Sequence, residues 1–267
     1  SQSRAVAAPT RDCYLKLLLH RGKMNTPAET AAKSELMVFG YWTIRGLGQA
    51  IRYVLEYGGV QYDERKYTFG DKLDSREEWL KEKFTLGLDF PNLPYLKAGD
   101  VVLTQSIAIL RFLARRLGLF PETEEAQQRV DLAEQQVYDI MWQCVALCYD
   151  KNYDDKRKEE YMTTFLNSRC SELNKFLGDR QFIAGDKTTY VDFLAYEMLD
   201  QHRTLWPEYE KMYAKYPKLS EYLKRVESLP KFAKYLQSDR CMKWPVWSEV
   251  SSHGGPKMAA PRPPVKD

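Results

Sequence analysis

The stretch Leu93-Pro94-Tyr95-Leu96-Lys97-Ala98-Gly99-Asp100-Val101-Val102-Leu103-Thr104-Gln105-Ser106 decides the reading of the first half of this 267-residue chain. Two short apolar runs, 93–96 and 101–103, flank a turn at Ala98-Gly99-Asp100, the pattern of a β-hairpin. Ser106 then caps a helix whose apolar stripe is Ile107, Leu110, Leu113, Ala114 and Leu117 and which ends at Gly118. Pro94 cannot donate a ladder hydrogen bond. It marks either an edge or first-strand position, or a cis bond that leaves the Leu93 backbone free to pair with an extended peptide. The free N–H groups of a helix start and the Ser106 hydroxyl favour a carboxylate. A Pro-bent strand beside such a helix start outlines a peptide-binding site.

Upstream, Met37–Trp42 is a short apolar and aromatic run suited to a buried strand. Leu47, Ile51, Val54 and Leu55 recur at helical spacing until Gly58-Gly59 stops them. Gln61–Tyr67 reads as an edge strand, and Ser75-Arg76-Glu77-Glu78 as a capping box opening a short helix through Trp79 and Phe84. The order β-α-β-α-β-β-α over 37–118 is that of a thioredoxin-like α/β domain. Residues 119–121 read as a linker, and 122–250 as an all-helical domain. Its long helix, Asp131–Tyr149, offers Leu132, Val137, Met141, Val145 and Leu147 as packing residues. Thr189-Tyr190-Val191-Asp192 is a second capping box, opening a helix through Phe193, Leu194 and Met198. Two short helices follow, around Leu219–Val226 and Phe232–Leu236.

Composition bounds the function. Hydrophobic content of 44% and charged content of 29% are those of an ordinary globular chain. No apolar run approaches the roughly 20 residues that span a bilayer, so a membrane protein is excluded. The formal charge of +3 sits on the ends: 1–36 and 251–267 are basic, and the body between them is net acidic. A nucleic-acid binder concentrates basic charge on its folded part, so that class is excluded too. Five cysteines, odd in number and unevenly spaced, imply no disulfide framework and fit a reducing compartment. Cys144 and Cys148 read as two small buried side chains rather than a metal pair, because none of the three His lies near them. Residues 1–36 read as a poorly ordered extension, either a weak organelle-targeting segment or upstream sequence with Met37 as the natural start. Residues 251–267, rich in Pro and Gly, read as a disordered tail.

The segments GYWTIRGLGQAIR (40–52), WLKEKFTLGLDFPNLPYL (79–96) and TQSIAIL (104–110) resemble the mu-class glutathione transferases. The likeness continues through CYD (148–150), FIAGDKTTYVDF (182–193) and PVWS (245–248). It implies the glutathione transferase fold, glutathione as co-substrate without a metal, and conjugation of the glutathione thiolate to small hydrophobic electrophiles. Tyr41 takes the family's catalytic position, donating to the glutathione sulfur. A free thiol has a pKa of about 8.5, and lowering it by about two units needs roughly 2.7 kcal/mol, within reach of a hydrogen bond to a charged acceptor. Without the surrounding motif, Tyr41 would read as a strand residue satisfying its hydroxyl in the core.

By position the resemblance assigns Trp42 and Leu47 to the sulfur, and Arg76, Trp79, Lys83 and Asn92 to the glycine end. The Leu93 backbone meets the cysteinyl main chain, and Gln105 and Ser106 the γ-glutamyl end, together with Asp139 of the partner subunit. Ile44, Leu47, Met141, Val145, Tyr149, Trp247 and Ser248 line the electrophile pocket. Phe90 inserts into the neighbouring subunit of a homodimer, and the implied location is cytoplasmic. Some positions depart from the family. Trp247 stands where Phe is usual, and Met141 where a basic or polar residue is usual. The loop 68–75 is one residue short, and Thr188 replaces the apolar residue that staples the next helix. Isomerisation or peroxide reduction by the same thiolate, and a non-catalytic carrier on the same fold, remain the alternative functions.

Overall fold

Four strands, β1 (Met37–Trp42), β2 (Tyr62–Tyr67), β3 (Tyr95–Ala98) and β4 (Val101–Thr104), form one sheet in the order β2-β1-β3-β4 in a computed structural model of the chain, which describes residues 36–69 and 75–258. β1 and β2 run parallel, with Tyr41 opposite Lys66, while β1–β3 and β3–β4 are antiparallel. β2 is an edge, as its charged sequence predicts, and β1, with Phe39 fully buried, is internal. The intervening helices are α1 (Gln49–Gly58), α2 (Glu77–Glu82) and α3 (Ser106–Leu117). Gly59 ends α1 in the left-handed conformation, at φ 69°, which glycine adopts without a Cβ clash.

The second half is helical: α4 (Glu124–Tyr149), α5 (Asp155–Glu160), a π-helical turn (Tyr161–Leu166), α6 (Asn167–Leu177) and α7 (Tyr190–Leu205). A 3-10 turn (Pro207–Tyr209) leads to α8 (Glu210–Tyr213), α9 (Pro217–Glu227) and α10 (Pro230–Leu236). α1 packs on α3, α7 and α10, so the helix layer of the sheet half is also its seam with the helical half. Both halves belong to one packed unit with a continuous core. No described helix is long and apolar enough to cross a membrane.

Several local expectations are corrected. α2 starts after Arg76 without a side-chain cap, because the Glu78 carboxylate is taken by the Thr68 N–H and hydroxyl at 3.0 and 3.1 Å. α3 begins at Ser106, with Gln105 rather than Ser106 at the cap position and no side-chain cap bond. α4 starts seven residues before Asp131, capped by Thr123, and its expected packing residue Leu132 points outward, 65% exposed. The Thr189–Asp192 capping box is formed. Residues 251–258 do not form the start of a disordered tail. They fold back, with Ser252 and His253 N–H groups donating to the Cys148 carbonyl. The expectations for residues 1–35, for the shortened loop at 70–74 and for 259–267 lie outside the described residues.

Candidate active site

Tyr41 sits near the end of the internal strand β1, its ring stacked on Phe39 and 5% exposed. Its hydroxyl oxygen accepts the Leu47 N–H at 2.9 Å, which leaves the hydroxyl hydrogen to donate into the cleft that Tyr41 lines. Burial raises the Tyr41 pKa far above the ordinary phenol value, against a smaller opposing pull from the Leu47 N–H and the Arg52 guanidinium. The group is therefore a hydrogen-bond donor at any working pH. Two glycines make room for it: a Cβ at Gly46 would fall 2.6 Å from the Tyr41 hydroxyl, and one at Gly48 2.4 Å from its ring.

The turn between β1 and α1 is held from both sides. Arg45 N–H and Gly46 N–H donate to the Pro245 and Val246 carbonyls at 2.9 Å. The buried Arg45 guanidinium bonds Glu197, Asp200 and Thr204 on α7. Leu47, and with it the N–H that orients Tyr41, is fixed by contacts more than 150 residues away in sequence.

One cleft of about 380 Å³ gathers most of the expected residues. Arg76, Trp79, Lys83 and Asn92 line one end, beside Trp42. Trp79 stacks on Tyr95, and Trp42 stacks on Phe69 at 4.5 Å. Ile44, Leu47, Val145, Tyr149, Trp247 and Ser248 line the rest. The Leu93–Pro94 bond is cis, and the Leu93 N–H is held by the Asn92 side chain at 2.9 Å. A ligand using that N–H must displace Asn92. Gln105 is exposed and carries φ 71°, unusual for a residue with a Cβ; such conformations collect at ligand-binding positions. Ser106 is buried at the first turn of α3.

Not every expected residue reaches the cleft. Met141 turns inward, 4% exposed, and closes a small separate pocket with Leu47, Tyr138 and Ser106. One residue on, Trp142 lines the cleft. Tyr149 is engaged: its hydroxyl accepts the Ser248 N–H at 3.1 Å and lies 2.9 Å from the Ser248 hydroxyl. Asp139 is exposed on α4, and Phe90 is 72% exposed on its loop. Phe69, Leu80 and Trp142 line the cleft and were not expected. For Trp142 a signal existed in its i, i+4 spacing from Tyr138, whose ring meets it edge-on at 5.9 Å.

The arrangement is a buried phenol donor between a cationic end and an aromatic, apolar end. That suits an anionic group at the cationic end and an apolar one at the other.

Comparison with known proteins identifies the family. The family model for the glutathione S-transferase N-terminal domain matches residues 37–115, and that for the C-terminal domain residues 138–239. Glutathione S-transferase Mu 1 of Mus musculus is 47% identical over 216 residues, covering 80% of this chain and 97% of its own. Its counterpart in Rattus norvegicus is 45% identical with the same coverage. Among solved structures, the glutathione S-transferase Blo t 8 superposes with a TM-score of 0.74 at 37% identity, covering 81% of this chain and 99% of its own. A Pi-class glutathione S-transferase of Onchocerca volvulus gives 0.70 at 27% identity, covering 80% and 99%.

Proposed function

The chain belongs to the glutathione S-transferase family and is a glutathione transferase of the mu type; on that premise we propose that Tyr41 holds the glutathione sulfur as a thiolate by donating its hydroxyl hydrogen to it. The observation that carries this reading is the state of the hydroxyl. Its oxygen is fixed by the Leu47 N–H, burial keeps it protonated, and it faces the cleft. A neutral donor held in a partly desolvated site stabilises the thiolate more than the thiol, which lowers the thiol pKa.

Glutathione then lies with its glycine carboxylate toward Arg76, Trp79 and Lys83, and its cysteinyl backbone along Asn92 and Leu93. Its γ-glutamyl group meets Gln105, Ser106 and Asp139 of the partner subunit. A dimer follows in this reading, with the exposed Phe90 as the residue that inserts into the other copy. The thiol proton leaves to solvent. The sulfur lone pair attacks a small hydrophobic electrophile held among Ile44, Leu47, Val145, Trp247 and Ser248, and the displaced group departs with the bonding pair. The same thiolate serves isomerisation or peroxide reduction. Cytoplasmic placement belongs to the reading and is supported by the cysteines among the described residues, Cys144, Cys148, Cys170 and Cys241, all buried and free.

The test is the pKa of the bound thiol, measured by thiolate absorbance. Tyr41→Phe is expected to raise it by about two units, to near the free-thiol value of about 8.5. Bound glutathione that titrates like free glutathione in both proteins would remove Tyr41 from the mechanism.

A further inference from the structure

The segment after α10 forms a strap that touches both the turn behind Tyr41 and the apolar end of the cleft. Its Pro245 and Val246 carbonyls hold the Arg45 and Gly46 N–H groups, and Trp247 and Ser248 line the cleft. The strap then turns back on itself. The Gly254 carbonyl accepts both the Val246 and Trp247 N–H groups, at 3.1 and 3.0 Å.

What fastens the turn lies outside the cleft. The His253 ring lies near-parallel to those of Tyr153, at 4.8 Å and 18°, and Trp206, at 5.4 Å and 7°. Those two rings are tied together by the Trp206 indole N–H donating to the Tyr153 hydroxyl at 3.0 Å. His253 Nε2 donates to the Leu205 carbonyl at 3.2 Å, while Ser252 and His253 N–H groups reach the Cys148 carbonyl at 2.8 and 3.1 Å. Leu205 and Cys148 lie in the last turns of α7 and α4, where carbonyls lack a partner within their own helix. The strap thus closes two helix ends at once. Gly254, at φ 83°, is the seat of Trp247: a Cβ there would fall 2.9 Å from Trp247 Cδ1 and 2.5 Å from Leu205 Cδ2.

We propose that His253 is a positioning residue for the electrophile, setting the placement of Trp247 through Gly254 without itself entering the cleft. The inference rests on the reading above that this end of the cleft takes the electrophile. It attributes to an aromatic clasp behind the wall a control over what the wall accepts.

Calorimetric titration of the full chain with glutathione and with S-hexylglutathione tests it. The hexyl group occupies the electrophile end, and the ratio of the two dissociation constants reports that end alone. In His253→Ala the hexyl compound is expected to weaken about five- to tenfold relative to glutathione, equivalent to losing one modest contact. His253→Phe, which keeps the ring contacts but not the bond to Leu205, is expected to restore most of the ratio. Gly254→Ala attacks the seat of Trp247 directly and is expected to produce the same split. A ratio that stays at its wild-type value in His253→Ala and Gly254→Ala, whether both ligands weaken together or neither does, overturns the proposal. Only glutathione carries a thiol proton, and Tyr41 is unchanged in every variant, so its effect on the thiol cancels from the change in the ratio.

Discussion

At the scale of single residues the site depends on space as much as on donors. Tyr41 is held by one N–H, but its ring can occupy that position only because Gly48 lacks a side chain. Gly48 has φ −85° and ψ −24°, a conformation any residue adopts, so the constraint there is steric and not conformational. In Gly48→Ala the new Cβ, 2.4 Å from Tyr41 Cδ1, must push the ring or α1 aside. Forcing one methyl into a packed site costs about 1–3 kcal/mol. The expected outcome is a lower urea midpoint and, because Tyr41 loses its register with Leu47, a raised pKa of bound glutathione. A stability loss with an unchanged thiol pKa would show that the hydroxyl tolerates displacement. The place of Tyr41 in the cleft was legible in the sequence because the Gly-Tyr-Trp motif surrounds it. Gly48 was not, since a contact with a ring seven residues back on a different element leaves no local signature.

At the scale of elements, α7 shows which signals are self-contained. Its capping box can be read from four consecutive residues and is formed, with Asp192 accepting the Thr189 N–H at 2.8 Å and hydroxyl at 3.0 Å. The apparent box at Ser75–Glu78 has the same pattern, a hydroxyl residue three before an acid, but fails, because Thr68, on a different segment, claims Glu78. Local patterns hold where no distant group competes for the same carboxylate. The buried end of α7 was not legible. There His202 Nδ1–H donates to the Met198 carbonyl at 2.7 Å, so Nε2 accepts from the Tyr161 hydroxyl at 2.9 Å. Burial lowers the His202 pKa to about 4. The unfolded imidazole takes its proton near pH 6.5, so between these values the unfolded chain binds a proton that the native one excludes. Stability is therefore complete above about pH 6.5, falls as the pH drops, and has lost its full share below about pH 4. At pH 5 the loss is about 2 kcal/mol. Urea unfolding at pH 7 and pH 5 should show that difference in the wild type and a smaller one in His202→Gln. Equal differences in the two proteins would acquit His202.

At the scale of the whole molecule, the two halves are joined through Arg45. Its guanidinium is 2% exposed; Nε and Nη2 bond the two oxygens of Glu197 at 3.1 and 2.6 Å, and Nη2 also meets Asp200 at 2.8 Å. The thioredoxin-like order of the first half and the change to helical patterns after Pro121 could be read locally. The joint could not, since nothing around Arg45 announces partners on α7. The cleft shares part of that blindness: Phe69 and Leu80 come from the first half and Trp142 from α4, so the wall they form spans both halves. The joint makes a definite energetic prediction. Glu197 is 3% exposed at its side chain, and burial raises its carboxyl pKa against the pull of Arg45. Removing Arg45 alone, as Arg45→Met, strands that carboxylate and should cost about 3–5 kcal/mol, as for other broken buried pairs. Asp200 keeps Arg203 at 2.8 Å and so is not stranded with it. Replacing both partners, as Arg45→Met with Glu197→Leu, removes the desolvation problem along with the attraction, and should recover most of the loss. Equilibrium denaturation of the four proteins in this cycle measures the coupling directly. Additive losses would mean that Asp200 and Thr204, not Glu197, hold Arg45 and through it the turn that positions Tyr41.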